Sequence, residues 1–152
     1  MRAFFRKHGH SFKPVDDRGH RLLSSIRADE DVLLEVTQVK NARHVRLYFA
    51  MLDFCRDHAI NLETGEVLFV TSEQAKWSMK IAAGAATPFV DPATGKTFWK
   101  FESIREMDAT AFSDFFDRAV YVIAHRWLAA GTTEEAVRNE LFAMIEPSRR
   151  VA

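Results

Sequence analysis

The chain has 152 residues, with 47% hydrophobic and 28% charged side chains, enough for one core and too few for two comfortable domains, so a single domain over residues 1–152 is expected. Lys plus Arg equals Asp plus Glu, which excludes a protein that coats nucleic acid through uniform basic charge. The lone Cys55 excludes an intrachain disulfide framework, and no apolar run reaches the roughly 18 residues a membrane span needs; a cytoplasmic protein is expected.

The first 27 residues are locally basic, carrying Arg2, Arg6, Lys7, Lys13, Arg18, Arg21 and Arg27 against Asp16 and Asp17. They form either a basic surface or a solvated face balanced by acidic residues of later helices. Residues 31–39 alternate and are dense in β-branched side chains, which predicts a strand, with residues 2–8 as its partner and residues 16–19 as a turn between them.

From Ala42 to about His58, Val45, Tyr48, Phe49, Leu52, Cys55 and Ala59 follow helical spacing, and Arg43, Arg46, Asp53 and Asp57 face elsewhere. Residues 61–66 read as a turn and 67–70 as a short apolar run. Thr71 and Gln74 form a capping box that opens a second helix through Trp77 to about Ala83, and Gly84 stops it. Residues 87–90 and 96–101 flank a Pro- and Gly-containing connection, the pattern of a hairpin. Asp108 caps the longest helix, in which Phe112, Phe115, Phe116, Ala119, Val120, Ile123 and Trp127 trace one apolar face. Gly131 closes it, residues 132–135 form a second capping box, and Val137, Leu141, Met144 and Ile145 line a last helix. Strands first, then helices split by a hairpin, give an α+β fold: small antiparallel hairpins packed with about four helices.

Two signatures carry a resemblance. Asn41, Arg43, Arg46, Phe49, Ala50 and Leu52 resemble the N-x-R-x-x-R-x-x-F-A-x-L run of an uncharacterised phage and prophage family whose members sit among replication and recombination genes. Ser103-Ile104, followed by Met107, Asp108, Phe112, Phe115 and Phe116, is similar to that family's second signature, S-I and then M-D-x-x-x-F-x-x-F-[FY]. Both lie within residues 39–128; Leu47 departs from the pattern, standing where members often carry another basic residue. More distantly, the order of elements resembles the lambda NinB (Orf) recombination proteins, with Arg46 and Phe49-Ala50, Trp77, and Ser103, Arg105 and Met107 approximating their motifs. That resemblance implies a NinB-like fold and a homodimer that binds single-stranded DNA and cooperates with a host single-strand-binding protein.

Lys40, Asn41, Arg43 and Arg46 would place cations where a helix start already favours phosphate, with Arg43 and Arg46 on one face. The competing reading is solubilising charge, with Asn41 as a simple cap. Lys76 and Trp77, and Trp99 and Lys100, mix stacking surfaces with cations, the requirement for holding unpaired bases, while core packing is the plainer role for both tryptophans. Arg105 completes the phosphate contacts. His8, His10, His20 and the Asp16-Asp17 pair are a weak metal signal, Cys55 and His58 a remote nucleophile pair, and Asp53 and Asp57 ordinary helix-surface charges. No catalytic constellation, metal or cofactor is expected. The leading expectation is a phage accessory protein that binds single-stranded DNA. The alternative is a protein-binding module that inhibits or recruits a host replication, repair or defence component, and a nuclease is third.

Overall fold

The apolar stripe of residues 42–58 becomes the helix around which the rest is assembled. A computed structural model describes residues 2–37 and 41–146. In chain order they form β1 (Phe5–His8), β2 (Ser11–Pro14), α1 (Asp17–Ser25), α2 (Ala42–His58), α3 (Ser72–Ala82), β3 (Ala86–Val90), β4 (Thr97–Phe101), α4 (Ala109–Val122) and α5 (Glu134–Ile145). A 3-10 turn at Ile104–Glu106 precedes α4 and a π turn at Ile123–Trp127 follows it. The fold is α+β, with five α-helices and two separate antiparallel pairs, β1-β2 and β3-β4, among the described residues.

α2 packs against α3, α5 and the 3-10 turn, and α4 packs against α3 and α5. One hydrophobic cluster fills the space between them, with Met51, Cys55, Phe115, Val120, Ile123 and Leu141 fully enclosed. The phenylalanines at the predicted helical spacing in α4, Phe112, Phe115 and Phe116, are all buried.

Three local signals in the sequence have direct structural counterparts. Thr71 Oγ1 accepts from the Gln74 amide at 3.2 Å and Gln74 Oε1 accepts from the Thr71 amide at 3.4 Å, a reciprocal box at the start of α3. Gly84, at φ +75°, takes the left-handed conformation that ends α3. Asp108 Oδ1 accepts from the Ala111 amide at 2.7 Å and caps α4.

Elsewhere the local chemistry resolves differently. The last helix is capped by Thr133, which accepts from Ala136 N; Ala136 has no side chain to return the bond, so the expected box is a single hydroxyl cap. α4 ends at Val122, and the wider π turn carries Ile123, Ala124 and Trp127 into the core, where Trp127 meets Phe69 edge-on at 4.9 Å.

The largest difference lies in the first 40 residues. β1 pairs with β2 across the Gly9-His10 turn, Phe5 opposite Pro14 and His8 opposite Ser11, and not with residues 31–39. Closing a hairpin of ten residues costs less chain entropy than bringing in a strand from more than twenty residues away. Residues 31–37 are exposed and form no strand, while residues 38–40 lie outside the described residues. Asp16 and Asp17 do not form a turn: Asp16 Oδ1 accepts from the Gly19 amide at 2.8 Å and caps α1. Gly19 lets α1 lie against the hairpin, because a Cβ there would stand 2.9 Å from both Phe4 O and Pro14 Cβ.

Candidate nucleic-acid interface

At the turn into α2, Asn41 adopts the left-handed conformation (φ 52°, ψ 43°), and its side chain makes no capping bond. Its carbonyl instead accepts from the His44 and Val45 amides at 3.0 and 3.3 Å. Arg43 turns toward the end of α5, where its guanidinium lies 3.5 Å from Glu146 Oε1 and 5.3 Å from the centre of the Phe142 ring. Arg46 instead lines a small cavity with Asp16, Arg18, Phe49 and Asp53. The two arginines therefore do not share one open phosphate-facing surface; both lie among carboxylates. Lys40 lies outside the described residues.

The residue that organises this region, Asp53, sits where helical spacing predicts a surface charge. Asp53 is only 1% exposed, and its carboxylate holds Arg21 at 3.1 Å, Arg56 at 3.6 Å and Arg18 at 3.8 Å. Arg18 also lays its guanidinium over Phe49 at 4.5 Å. Burial lowers the Arg18 pKa, opposed by the attraction of Asp53 and Asp16. Burial also raises the Asp16 carboxyl above its ordinary value, against the Gly19 amide and the charges of Arg46 and Arg18, which lower it. This network joins α1 to α2. The sequence carries no direct signal for it beyond the arginines at 18, 21 and 56, since Asp53 falls off the apolar stripe of α2. Asp53 is committed to arginines and is not disposed to hold a divalent cation for a nuclease.

The second group of predicted residues sits on the other hairpin. Trp77 on α3 packs against Phe101 on β4 with ring centres 4.3 Å apart, and Lys76 Nζ lies 4.4 Å above the Trp77 ring. Trp99 shares the Phe101 face of β4, since side chains two residues apart in a strand point the same way. Neither tryptophan is core: Trp77 is 37% exposed and Trp99 40%. The hairpin stands off the core, so a face that would be internal in a larger sheet meets solvent. Lys100 falls on the opposite face, with Phe89 and Phe98, which stack at 5.6 Å and are themselves exposed. Arg105 is exposed on the 3-10 turn and makes no ion pair among the described residues.

Lys80, one turn after Lys76, is buried; its Nζ donates to the Glu102 carbonyl at 2.7 Å and lies 5.8 Å from the Tyr48 ring centre. Burial, and then the neighbouring charge of Lys76, lower its pKa. It anchors the base of the hairpin to α3.

Among the described residues, no three His, Cys, Asp or Glu side chains gather as a metal site would need. Cys55 is fully buried and burial pushes its thiol pKa up, the opposite of what a thiolate nucleophile requires. An open cleft of about 350 Å³ between α1, α2 and α5 is lined by His20, Arg21, Phe54, Asp57, His58 and Glu140, a mixed-charge surface. No helix of the described residues is long and apolar enough to cross a membrane.

These features define a small α+β protein with an exposed aromatic and cationic hairpin beside a charge-locked helical core. No protein-family model, curated protein or solved structure matches the chain.

Proposed function

We propose that the protein binds single-stranded DNA, and that the α3–β4 surface is where unpaired bases stack. The observation that carries this reading is the half-exposed cluster of Trp77, Phe101 and Trp99 with Lys76 held over the Trp77 ring. Unpaired bases offer flat π faces, and stacking on aromatic side chains contributes roughly 1–3 kcal/mol per base without regard to sequence. Zero net charge fits binding in which stacking supplies much of the affinity and a few cations, Lys76 and Arg105, follow the backbone, while Lys100 lies on the other face of β4. Together with the phage-family signatures, this supports an accessory role in phage recombination or replication in the host cytoplasm, as a homodimer and beside the host single-strand-binding protein.

A second reading, a module that docks on a host protein, is favoured by one observation: the opposite face of the hairpin exposes the stacked Phe89 and Phe98, more apolar surface than phosphate contacts require. The two readings separate in tryptophan fluorescence. Of the three tryptophans, Trp127 is buried, so quenching on addition of an unlabelled oligothymidylate reports Trp77 and Trp99. DNA binding predicts quenching that is reduced in each of Trp77→Phe and Trp99→Phe; unchanged emission at low salt refutes it and leaves the docking module.

A further inference from the structure

We infer that residues 31–37 form an intermolecular strand, adding to the free edge of β1 in a second copy of this chain, and that the exchange is reciprocal. The reasoning is independent of the DNA-binding proposal.

The segment has strand chemistry without a strand partner. Val32, Leu34 and Val36 alternate with Asp31, Leu33 and Glu35, yet Leu33 is 100% exposed, Val36 71% and Leu34 66%, and no backbone hydrogen bond joins residues 31–37 to another described element. An apolar, unpaired extended run is the form in which one chain adds to the sheet of another.

The β1–β2 hairpin supplies a matching edge. The Val15 amide donates to the Phe4 carbonyl at 3.2 Å, and with Phe5 opposite Pro14 this makes 4 and 15, 6 and 13, and 8 and 11 the bonded pairs. Residues 5 and 7 of β1 and 12 and 14 of β2 therefore turn their backbone groups outward. Pro14 has no amide hydrogen to offer, so β2 is blunted, whereas β1 presents Phe5 and Lys7 with both donor and acceptor.

The two faces of the hairpin match the two faces of the segment. Phe5, Phe12 and Pro14 share one face with Lys7, the single cation on it, and this largely apolar face suits Val32, Leu34 and Val36. On the other face Arg6 stands directly opposite Lys13, a like-charge pair that is unfavourable by itself. Asp31 and Glu35 lie on the segment's second face, on either side of Leu33, and would stand beside that pair. Displacing the segment by one residue would put its apolar row against Arg6 and Lys13, so the charges also set the register. Each copy owns one donor segment and one acceptor edge, and a twofold pair uses both.

Sedimentation equilibrium with charge swaps tests this. The wild type is expected to be dimeric, and both Asp31→Lys/Glu35→Lys and Arg6→Glu/Lys13→Glu monomeric. Mixing the two variants is expected to restore a heterodimer, because each segment then meets an edge of opposite sign. A monomeric wild type, or dimers indifferent to both swaps, overturns the proposal. Cysteine trapping decides between copies: Lys7→Cys mixed with Val32→Cys, Leu34→Cys or Val36→Cys is expected to give a disulfide-linked dimer at one position, the native Cys55 being enclosed. If the same pair placed in one chain closes instead as a monomeric disulfide, and the mixture gives none, the strand adds within its own chain and the second-copy proposal is wrong.

Discussion

Replacing Asp53 by Ala should cost far more than its place on a solvent-facing helical stripe implies. Its carboxylate is 1% exposed and lies within 4 Å of three guanidinium groups, of which Arg18 is itself only 14% exposed. Without Asp53, Arg18 stays largely buried with its main countercharge gone. Removing one partner of a buried pair costs about 3–5 kcal/mol. For a chain of this size each kcal/mol lowers the midpoint by roughly 2–4 °C, so Tm should fall by about 6–20 °C. Arg21→Ala is the internal control: its side chain is 43% exposed and Asp53 keeps two other arginines, so a loss of about 0–1 kcal/mol is expected. Urea denaturation followed by far-ultraviolet circular dichroism gives both numbers. If Asp53→Ala lies within about 1 kcal/mol of the wild type, or if Arg21→Ala costs as much, the network does not hold α1 to α2 as described.

Gly19→Ala should destabilise by about 1–3 kcal/mol, because the new methyl meets the Phe4 carbonyl and Pro14 at distances that force α1 off the hairpin; the same urea titration measures it, and a neutral result would show that the helix has room to move. The Asp91 carboxylate accepts from the Ala93 amide and the Thr94 hydroxyl in the β3–β4 turn, which lowers its pKa below the ordinary 3.8. A depressed folded-state value means stability that is present above 3.8 and lost as the pH falls through the folded value. The Tm difference between the wild type and Asp91→Ala should therefore shrink on acidification from about pH 6 toward pH 2, and a difference that grows contradicts the sign. The charge-swap pair in the amino-terminal segment and hairpin should dimerise only when mixed, by sedimentation.

Legibility in the sequence followed the range of the interactions involved. α2, the Thr71 box, the Asp108 cap and the β3–β4 hairpin rest on neighbours within a few positions, and all are where the pattern puts them. Asp53 was misread because helical spacing identifies a face but not what covers it, and the cover, α1, comes from more than thirty residues away. Sequence pattern favours a core role for Trp77 and Trp99; the projection of the hairpin from the helices exposes them instead. Arg43 and Arg46 share a face by spacing, yet Arg43 reaches Glu146 while Arg46 lines the cavity that holds Asp16 and Asp53. The alternation of residues 31–39 predicts a strand, and alternation says nothing about whether a partner edge is within reach of residues 31–37. The widening of α4 into a π turn left no mark in the apolar periodicity.

The most direct test of the proposed function is fluorescence anisotropy of labelled single-stranded and duplex oligonucleotides over a salt series, comparing the wild type with Trp77→Ala/Trp99→Ala. The variant changes two half-exposed rings and leaves the Asp53 network intact. The account predicts preference for the single strand, affinity that weakens with salt, and a loss of tenfold or more in the variant, since each stacked base contributes roughly 1–3 kcal/mol. Equal binding by the variant, or no binding to either oligonucleotide at low salt, would contradict it.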